Sequence, residues 1–319
     1  MKKYLVLIFA VMIMVLFSAC DVLSDKSLEK FSTEATIEKT VLYDQNNVKI
    51  TADELLYGNF SADLSVTIEN NSGENVKVTS STMAYAVNAI NGCSAEDGYL
   101  NCDVEAGKTV SEKLSFGYEA MKVYGITEIA DIAVGFNIIF EDEKNTNVRT
   151  EPVKIKTSIA DSYDYSENKY QKIISNGSME KEFESKVEYF SDDILFDKNN
   201  ICINSAAVIT NKDGEPAVII EIDNKSEHSV YVSTSEVYIN DKPVYEFRWT
   251  GAIMPGKTKR LEDIVLSNLI EKYDGDKAEI SKVKKISFTF GIGDVGKTAE
   301  VTKNISVELP ETDVFQKEE

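Results

Sequence analysis

Tyr43–Ile50 reads YDQNNVKI, and Phe196–Ile203 reads FDKNNICI. In both, an acidic residue is followed by two asparagines and then by apolar residues at alternate positions. Two chemistries fit such a start: an oxygen-rich metal loop, or a turn into a strand. A calcium loop of the EF-hand kind needs oxygen ligands at alternate positions and an acid at its end. Counting from Asp44, the third position is Asn46, which fits. The fifth is Val48, the sixth, where glycine is needed, is Lys49, and the twelfth is Leu55. The second copy fails likewise at Ile201. The turn reading explains more residues. Asp44 can cap a turn through its side chain, and Asn47 tolerates the left-handed conformation. Val48 and Ile50 then begin a strand, and the same is expected after Asn200.

The two copies belong to a longer repeat. LSVTIENNS, from Leu64, matches VIIEIDNKS, from Val218, and Val76 and Val78 match Val230 and Val232. Gly107-Lys108-Thr109 matches Gly256-Lys257-Thr258. Ile126, Ile129, Ile132, Val134 and Phe136 match Ile280, Val283, Ile286, Phe288 and Phe290 at constant spacing. The order is kept throughout, with gaps only in loops. This is a duplicated domain, since the unit far exceeds the ~20–50 residues of solenoid repeats. Leu64, Val66 and Ile68 alternate with polar residues, and Ile132, Val134, Phe136 and Ile138 form another alternating set; alternation of this kind places one face on a core and one in water. The expected fold class is all-β: two tandem antiparallel β-sandwiches, each with one short helix. The helices are expected at Leu266–Tyr273 and at its counterpart, Ser115–Tyr124.

The chain has 319 residues, about right for two domains. It begins with Lys2 and Lys3, an apolar run from Tyr4 to Phe17, and then Ser18-Ala19-Cys20, the pattern of an export signal. The run is shorter than the ~20 residues a spanning helix needs. Leu16-Phe17-Ser18-Ala19-Cys20 resembles a bacterial lipoprotein box, with Phe17 where Leu is usual. That resemblance implies a lipid on Cys20, which becomes the new N-terminus. The alternative is an ordinary secretory signal before an unmodified cysteine. Asp21 is compatible with retention at the inner membrane. The expected location is therefore the outer face of the cytoplasmic membrane, with the membrane itself as a partner through the lipid anchor. The expected organisation is signal peptide 1–20, tether 21–35, domain one 36–158, hydrophilic linker 159–185, domain two 186–310 and tail 311–319.

The LYDQNNVKI opening, the IENNS strand end, the AGKT turn and ITEIADIAVGFNI together resemble an immunoglobulin-like repeat domain of unknown function, found in tandem in surface lipoproteins of low-GC Gram-positive bacteria. The resemblance covers both units. It implies β-sandwiches outside the cytoplasm and supplies no catalytic residues. The family's opening usually has Gly where this chain has Asn47 and Asn200.

The formal charge is −20, and loss of Lys2 and Lys3 with the signal makes it −22. So acidic a surface repels phosphate backbones, so nucleic acid is not expected as a partner. The one histidine, His228, lies in the polar turn NKSEHSV and is expected to be solvated. No HExxH, GxSxG or Walker loop occurs. No catalytic residue, metal ligand or cofactor is therefore assigned. Cys93 and Cys102 bracket SAEDGYLN. Outside the cell a disulfide is the natural reading, against two free thiols. Cys202 takes the place of Lys49 and is expected to share its exposure. Val244–Gly251, VYEFRWTG, reads as a core strand rather than an exposed aromatic face. Loops on a fixed sandwich are where binding usually resides, so Glu96, Asp97 and Tyr99 are candidate contacts for a basic or amide-rich partner. The function expected is a non-catalytic binding or structural module that contacts a surface protein or cell-wall glycan. The alternative is a glycan-binding or enzyme-accessory lipoprotein.

Overall fold

The computed structural model describes residues 31–81, 87–141, 144, 146–243, 250–265, 284–295 and 301–308. The signal and Cys20, most of VYEFRWTG, the helix expected at Leu266–Tyr273 and the tail all lie outside these residues.

Strand β1, Thr40–Gln45, and strand β2, Val48–Tyr57, are joined by Asn46 and Asn47, whose φ angles are 53° and 57°. Asn199 and Asn200 repeat this with φ of 54° and 61°, between β14 (Phe196–Lys198) and β15 (Ile201–Thr210). Two successive positive φ values are the signature of a two-residue type I′ hairpin, and asparagine is among the few residues that tolerate them. The turn reading therefore holds in both copies. Asp44 sits in β1 opposite Lys49 and does not cap the turn. Each turn docks on the next loop: the Asn47 carbonyl accepts from the Asn71 N–H at 2.8 Å, and the Asn200 carbonyl accepts from the Lys225 N–H at 2.8 Å. Asn47→Gly is expected to be tolerated. Asn47→Val, which forces a β-branched residue into the left-handed region, is expected to cost about 1–2 kcal/mol in urea unfolding. Asn200→Val should cost about as much.

In unit one, β1, β2, β3 (Ser61–Asn70) and β8 (Thr109–Gly117) form one antiparallel sheet. Leu64, Val66 and Ile68 on β3 are fully buried and alternate with partly exposed residues. They meet a second layer built from β4 (Val76–Ser80), β7 (Leu100–Val104), β10 (Asn137–Phe140) and β11 (Asn147–Arg149). The same layer continues through β5 (Ala89–Ile90), β6 (Cys93–Ser94), β9 (Asp131–Val134) and β12 (Val153–Lys156). Ile132, Val134, Phe136 and Ile138 close the core from that side. Unit two copies the plan. Strands β13 (Lys186–Ser191), β14, β15, β16 (Pro216–Asn224) and β20 (Thr258–Val265) form its first layer. Strands β17 (Val230–Ile239), β18 (Lys242–Pro243), β19 (Thr250–Met254), β21 (Lys285–Asp294) and β22 (Val301–Glu308) form the second. Val218, Ile220 and Ile222 pack there against Phe288 and Phe290. The all-β fold class is therefore as expected.

The repeat extends to side-chain hydrogen bonds. Asn70, fully buried, accepts from the Ser72 N–H and hydroxyl and donates to the carbonyls of Glu74 and Val104. Asn224, also fully buried, accepts from the Ser226 N–H and hydroxyl and donates to the carbonyls of His228, Met254 and Pro255. Asn91 and Asn240 each accept two backbone N–H groups at the start of a later strand. One match shifts. The left-handed residue of the GKT turn is Gly107 in unit one and Lys257, not Gly256, in unit two. A Cβ on Gly256 would lie 2.4 Å from the Glu227 carbonyl, so this glycine permits a close approach.

Three expectations are corrected. Helix α1 covers only Tyr118–Val123, because Ser115–Gly117 complete β8. The tether ends earlier than residue 35: Phe31 is buried and stacked on Tyr118 at 4.2 Å, and Ala35 is buried. The hydrophilic linker is a pair of helices, α2 (Lys169–Ser175) and α3 (Ser178–Phe183). Asn168 caps α2, accepting from the Gln171 N–H at 3.1 Å. Tyr170 and Ile174, then Met179 and Phe183, lie four residues apart and so share a helix face. That face packs on Ala207, Ile209, Ala217, Ile219 and Leu261, the outer side of the β15–β16–β20 sheet, with Val123 and Tyr124 of unit one alongside. The segment between the units is thus the core that joins them.

Candidate functional site: a cleft at the junction of the two units

Cys93 and Lys259 stand opposite each other where β6 runs parallel to β20, and the Lys259 N–H donates to the Gly92 carbonyl at 2.7 Å. Unit one thereby adds a strand to the edge of unit two, giving one nine-stranded sheet. Asn91 presents this edge by fixing the NG turn to the start of β9: it accepts from Ala130 and Asp131 and donates to the Glu128 carbonyl.

This placement explains why no Cys93–Cys102 disulfide forms. Both are free thiols. Cys93 belongs to the nine-stranded sheet, whereas Cys102 is buried on β7, opposite Val78 in another sheet. Cys202 is also free and, against expectation, fully buried. It is smaller than the lysine it replaces and lies between its cross-strand neighbours Asp197 and Asp223. Burial pushes the Cys93 thiol up to about 12 and the Cys102 thiol up to about 11, and raises Cys202. At pH 8 about one Cys93 in ten thousand would be thiolate. Native protein is therefore expected to resist iodoacetamide, and denatured protein to gain three labels on these residues without prior reduction, read by intact mass.

The loop after Cys93 turns inward. Glu96 pairs with Arg260 of unit two at 2.6 Å, and Asp97 accepts from the Gly117 N–H at 3.0 Å. Burial raises the Asp97 carboxyl. Tyr99 is open to solvent and the Glu96 side chain stays 46% exposed beside Arg260, whereas Asp97 is half-buried. The basic partner that sequence reasoning sought for Glu96 lies in the same chain. His228 is exposed in its turn, as expected.

Arg260 also holds Glu262 at 3.0 Å. Beside them, burial first and the Glu262 charge second push the Asp263 carboxyl up to about 7, and its Oδ2 has no hydrogen-bond partner among the described residues. A carboxyl raised in the fold makes the folded state bind more protons than the unfolded one between about pH 4 and 7. Stability is therefore lost as pH rises through that window. Asp263→Asn is expected to stabilise the protein by on the order of 2–4 kcal/mol at pH 8 and to leave it unchanged near pH 3.5. Urea midpoints across pH, compared with wild type, measure this.

Next to this junction an open cleft of about 460 Å³ separates the units. Its floor holds Glu221 of β16, 1% exposed. The Glu221 carboxylate accepts from Asn168 (2.9 and 3.0 Å), Gln171 (2.8 Å) and Ser205 (3.3 Å), and lies 3.4 Å from the Lys259 ammonium. A buried carboxylate is tolerated only with such a full set of donors. It fixes α2 and Lys259 at the same point. Tyr163 and Tyr165 meet edge to face at 4.9 Å at the cleft, with Lys169 4.4 Å from the Tyr163 ring and Lys154 5.7 Å from the Tyr165 ring. Lys154 also reaches Asp131 at 3.4 Å. Tyr170, 3% exposed, lines the cleft, and its hydroxyl has no partner among the described residues.

This arrangement suits binding. Cys93 lines the cleft as a neutral thiol, and among the described residues no base is hydrogen-bonded to it to activate it. Among the described residues no group of three or more His, Cys, Asp or Glu is placed to hold a metal ion, and no helix is long and apolar enough to cross a membrane.

No family model matches the chain, and no curated protein matches it. A solved structure described as the crystal structure of the conserved domain protein from Bacillus anthracis shares 11% identity, covering 88% of this chain and 94% of that one, at a TM-score of 0.20. That likeness carries no functional inference.

Sequence reasoning missed Glu221, Asn168 and the tyrosine pair. One signal was present. In the matched strands, Ser65 and Thr67 of unit one correspond to Ile219 and Glu221. An outward face that gains an isoleucine and a central carboxylate is a face that something covers.

Proposed function

We propose that the protein is a non-catalytic binding module held by a lipid on Cys20 at the outer face of the cytoplasmic membrane. In this reading it is built from two immunoglobulin-like units and binds at their junction. The observation that carries the binding role is the cleft: a buried, fully paired Glu221 locks Lys259 and α2 in place, while Tyr163 and Tyr165 remain accessible beside them. Rigid polar support under exposed aromatic rings is how binding sites are organised. The anchoring reading rests on the basic start, the apolar run and the small residues before Cys20. The glycan-binding alternative gains from the tyrosine pair, since tyrosine offers a large flat surface with a polar tip.

Cys20→Ser is expected to move the protein from the membrane fraction to the medium or periplasm. Wild type already soluble would refute the anchor. For the binding role, a photoreactive residue replacing Tyr165 in whole cells is expected to cross-link an extracytoplasmic component. The same residue at Phe60, exposed on the β2–β3 turn, should give none. Equal yields from the two positions would refute a junction site.

A further inference from the structure

We infer that the junction cleft takes an anionic saccharide, its ring against Tyr163 and Tyr165 and its acidic group among Lys154, Lys169 and Lys259. This rests on the binding-module reading and names its ligand class. The charge of the cleft runs against that of the chain. The sequence is −20 overall, yet five lysines against four carboxylates line this one site.

Four carboxylates line the cleft, and three of them are engaged; the fourth, Asp223, is half-buried on β16. Glu221 is saturated by its donors, Asp164 accepts from the Ser166 N–H and hydroxyl, and Glu167 pairs with Lys172 of α2. What the cleft offers a ligand is therefore mostly donors. Lys169 lies over the Tyr163 ring and near the Asp164 charge, and no described carboxylate forms an ion pair with it. The Tyr170 hydroxyl is buried beside the cleft without a partner among the described residues, and a buried hydroxyl without a partner is unfavourable until something fills the role. A ligand rich in acceptors answers both.

The two half-exposed tyrosines add the second requirement, a flat face to cover them. A saccharide ring bearing a carboxylate or phosphate meets both conditions. A neutral sugar would leave the excess of ammonium over carboxylate in the cleft uncompensated, and a nucleic acid would meet the repulsion of the whole acidic surface. Because remote acidic residues repel any anion, the discrimination has to come from contacts inside the cleft.

The test uses the mature chain carrying Cys20→Ser, titrated with glucuronic acid, glucose 6-phosphate, glucose and inorganic phosphate, and followed by calorimetry and by amide chemical shifts. At least one acidic sugar is expected to bind tenfold or more tighter than both glucose and inorganic phosphate. The preferred acidic sugar identifies the acid group as carboxylate or phosphate. Lys169→Gln should weaken that sugar by about tenfold and leave glucose unchanged. Tyr163→Ala should weaken it by a similar factor. Lys303→Gln, outside the cleft, should change nothing, and melting curves confirm that each variant is folded. Glucose binding as tightly as the acidic sugars would overturn the anionic requirement, and inorganic phosphate binding as tightly would overturn the sugar. Binding that survives both cleft substitutions would overturn the site. If no probe binds while Tyr165 still cross-links in cells, the ligand class is wrong and the binding-module reading stands. If both fail, both readings fall.

Discussion

Ile174→Ala and Met179→Ala are each expected to destabilise the protein by about 2–5 kcal/mol, measured by urea unfolding of the full chain. Both side chains are 3% exposed and belong to the core that α2 and α3 form with the outer face of β15, β16 and β20. The size of the effect separates two descriptions of residues 159–185. In a solvated linker such substitutions stay within about 0.5 kcal/mol. In a packed core, removing an apolar side chain loses its transfer free energy and leaves a cavity. The same core contains Val123 and Tyr124 of unit one, and the Tyr124 hydroxyl accepts from the Leu261 N–H at 3.0 Å. Loosening α2 and α3 should therefore also loosen the union of the two units. Limited proteolysis is expected to cut between residues 159 and 185 faster in both variants than in wild type.

Asn70→Ala and Asn224→Ala are expected to cost about 2–4 kcal/mol each, through several orphaned backbone groups at ~1–3 kcal/mol apiece. Asn70→Ala leaves the Ser72 N–H and the Val104 carbonyl without their side-chain partner. Asn224→Ala does the same to the Ser226 N–H and to the Met254 and Pro255 carbonyls. The comparison matters more than either value. The two asparagines close the same end of each unit with the same Ser partner two residues on. If duplication preserved the energetics as well as the pattern, the two costs should agree within about 1 kcal/mol. A near-neutral effect at one site alone would show that one copy no longer depends on this turn.

Much of the fold was legible because its signals are local. Alternation in LSVTIENNS marks one buried face, which β3 shows; in the β9–β10 region Ile132, Val134 and Ile138 are buried as expected, but the face expected in water is buried too, with Asp131, Ala133 and Asn137. The NN turns were legible because the left-handed conformation selects asparagine or glycine over nearly everything else. The junction was not legible, because it is made by residues that look polar in one dimension. In IADSYDYSENKYQKIISNGSMEKEFES the apolar residues Tyr170, Ile174, Met179 and Phe183 are scattered among charges, and each of the two short helices contributes only one i, i+4 pair. The cysteine pair misled because nearness in sequence suggests nearness in space, whereas β6 and β7 are drawn into different sheets. Glu96 and Asp97 misled for a related reason. A charged loop reads as one free for a partner, whereas here Glu96 pairs with Arg260 and Asp97 accepts from the end of β8.

The central structural claim is that the two units form one body rather than two beads on a tether. A flexible linker of about 27 residues would span roughly 30 Å on average with a broad spread. Spin labels at Glu54→Cys on β2 and Lys198→Cys on β14, both exposed, report the distance between units by pulsed electron resonance. The three described native cysteines should stay unlabelled because their thiols are buried or shielded and held neutral. The expected result is a single narrow distance distribution, broadened by Ile174→Ala. A distribution tens of ångströms wide in the wild-type background would contradict a packed junction, and with it the cleft.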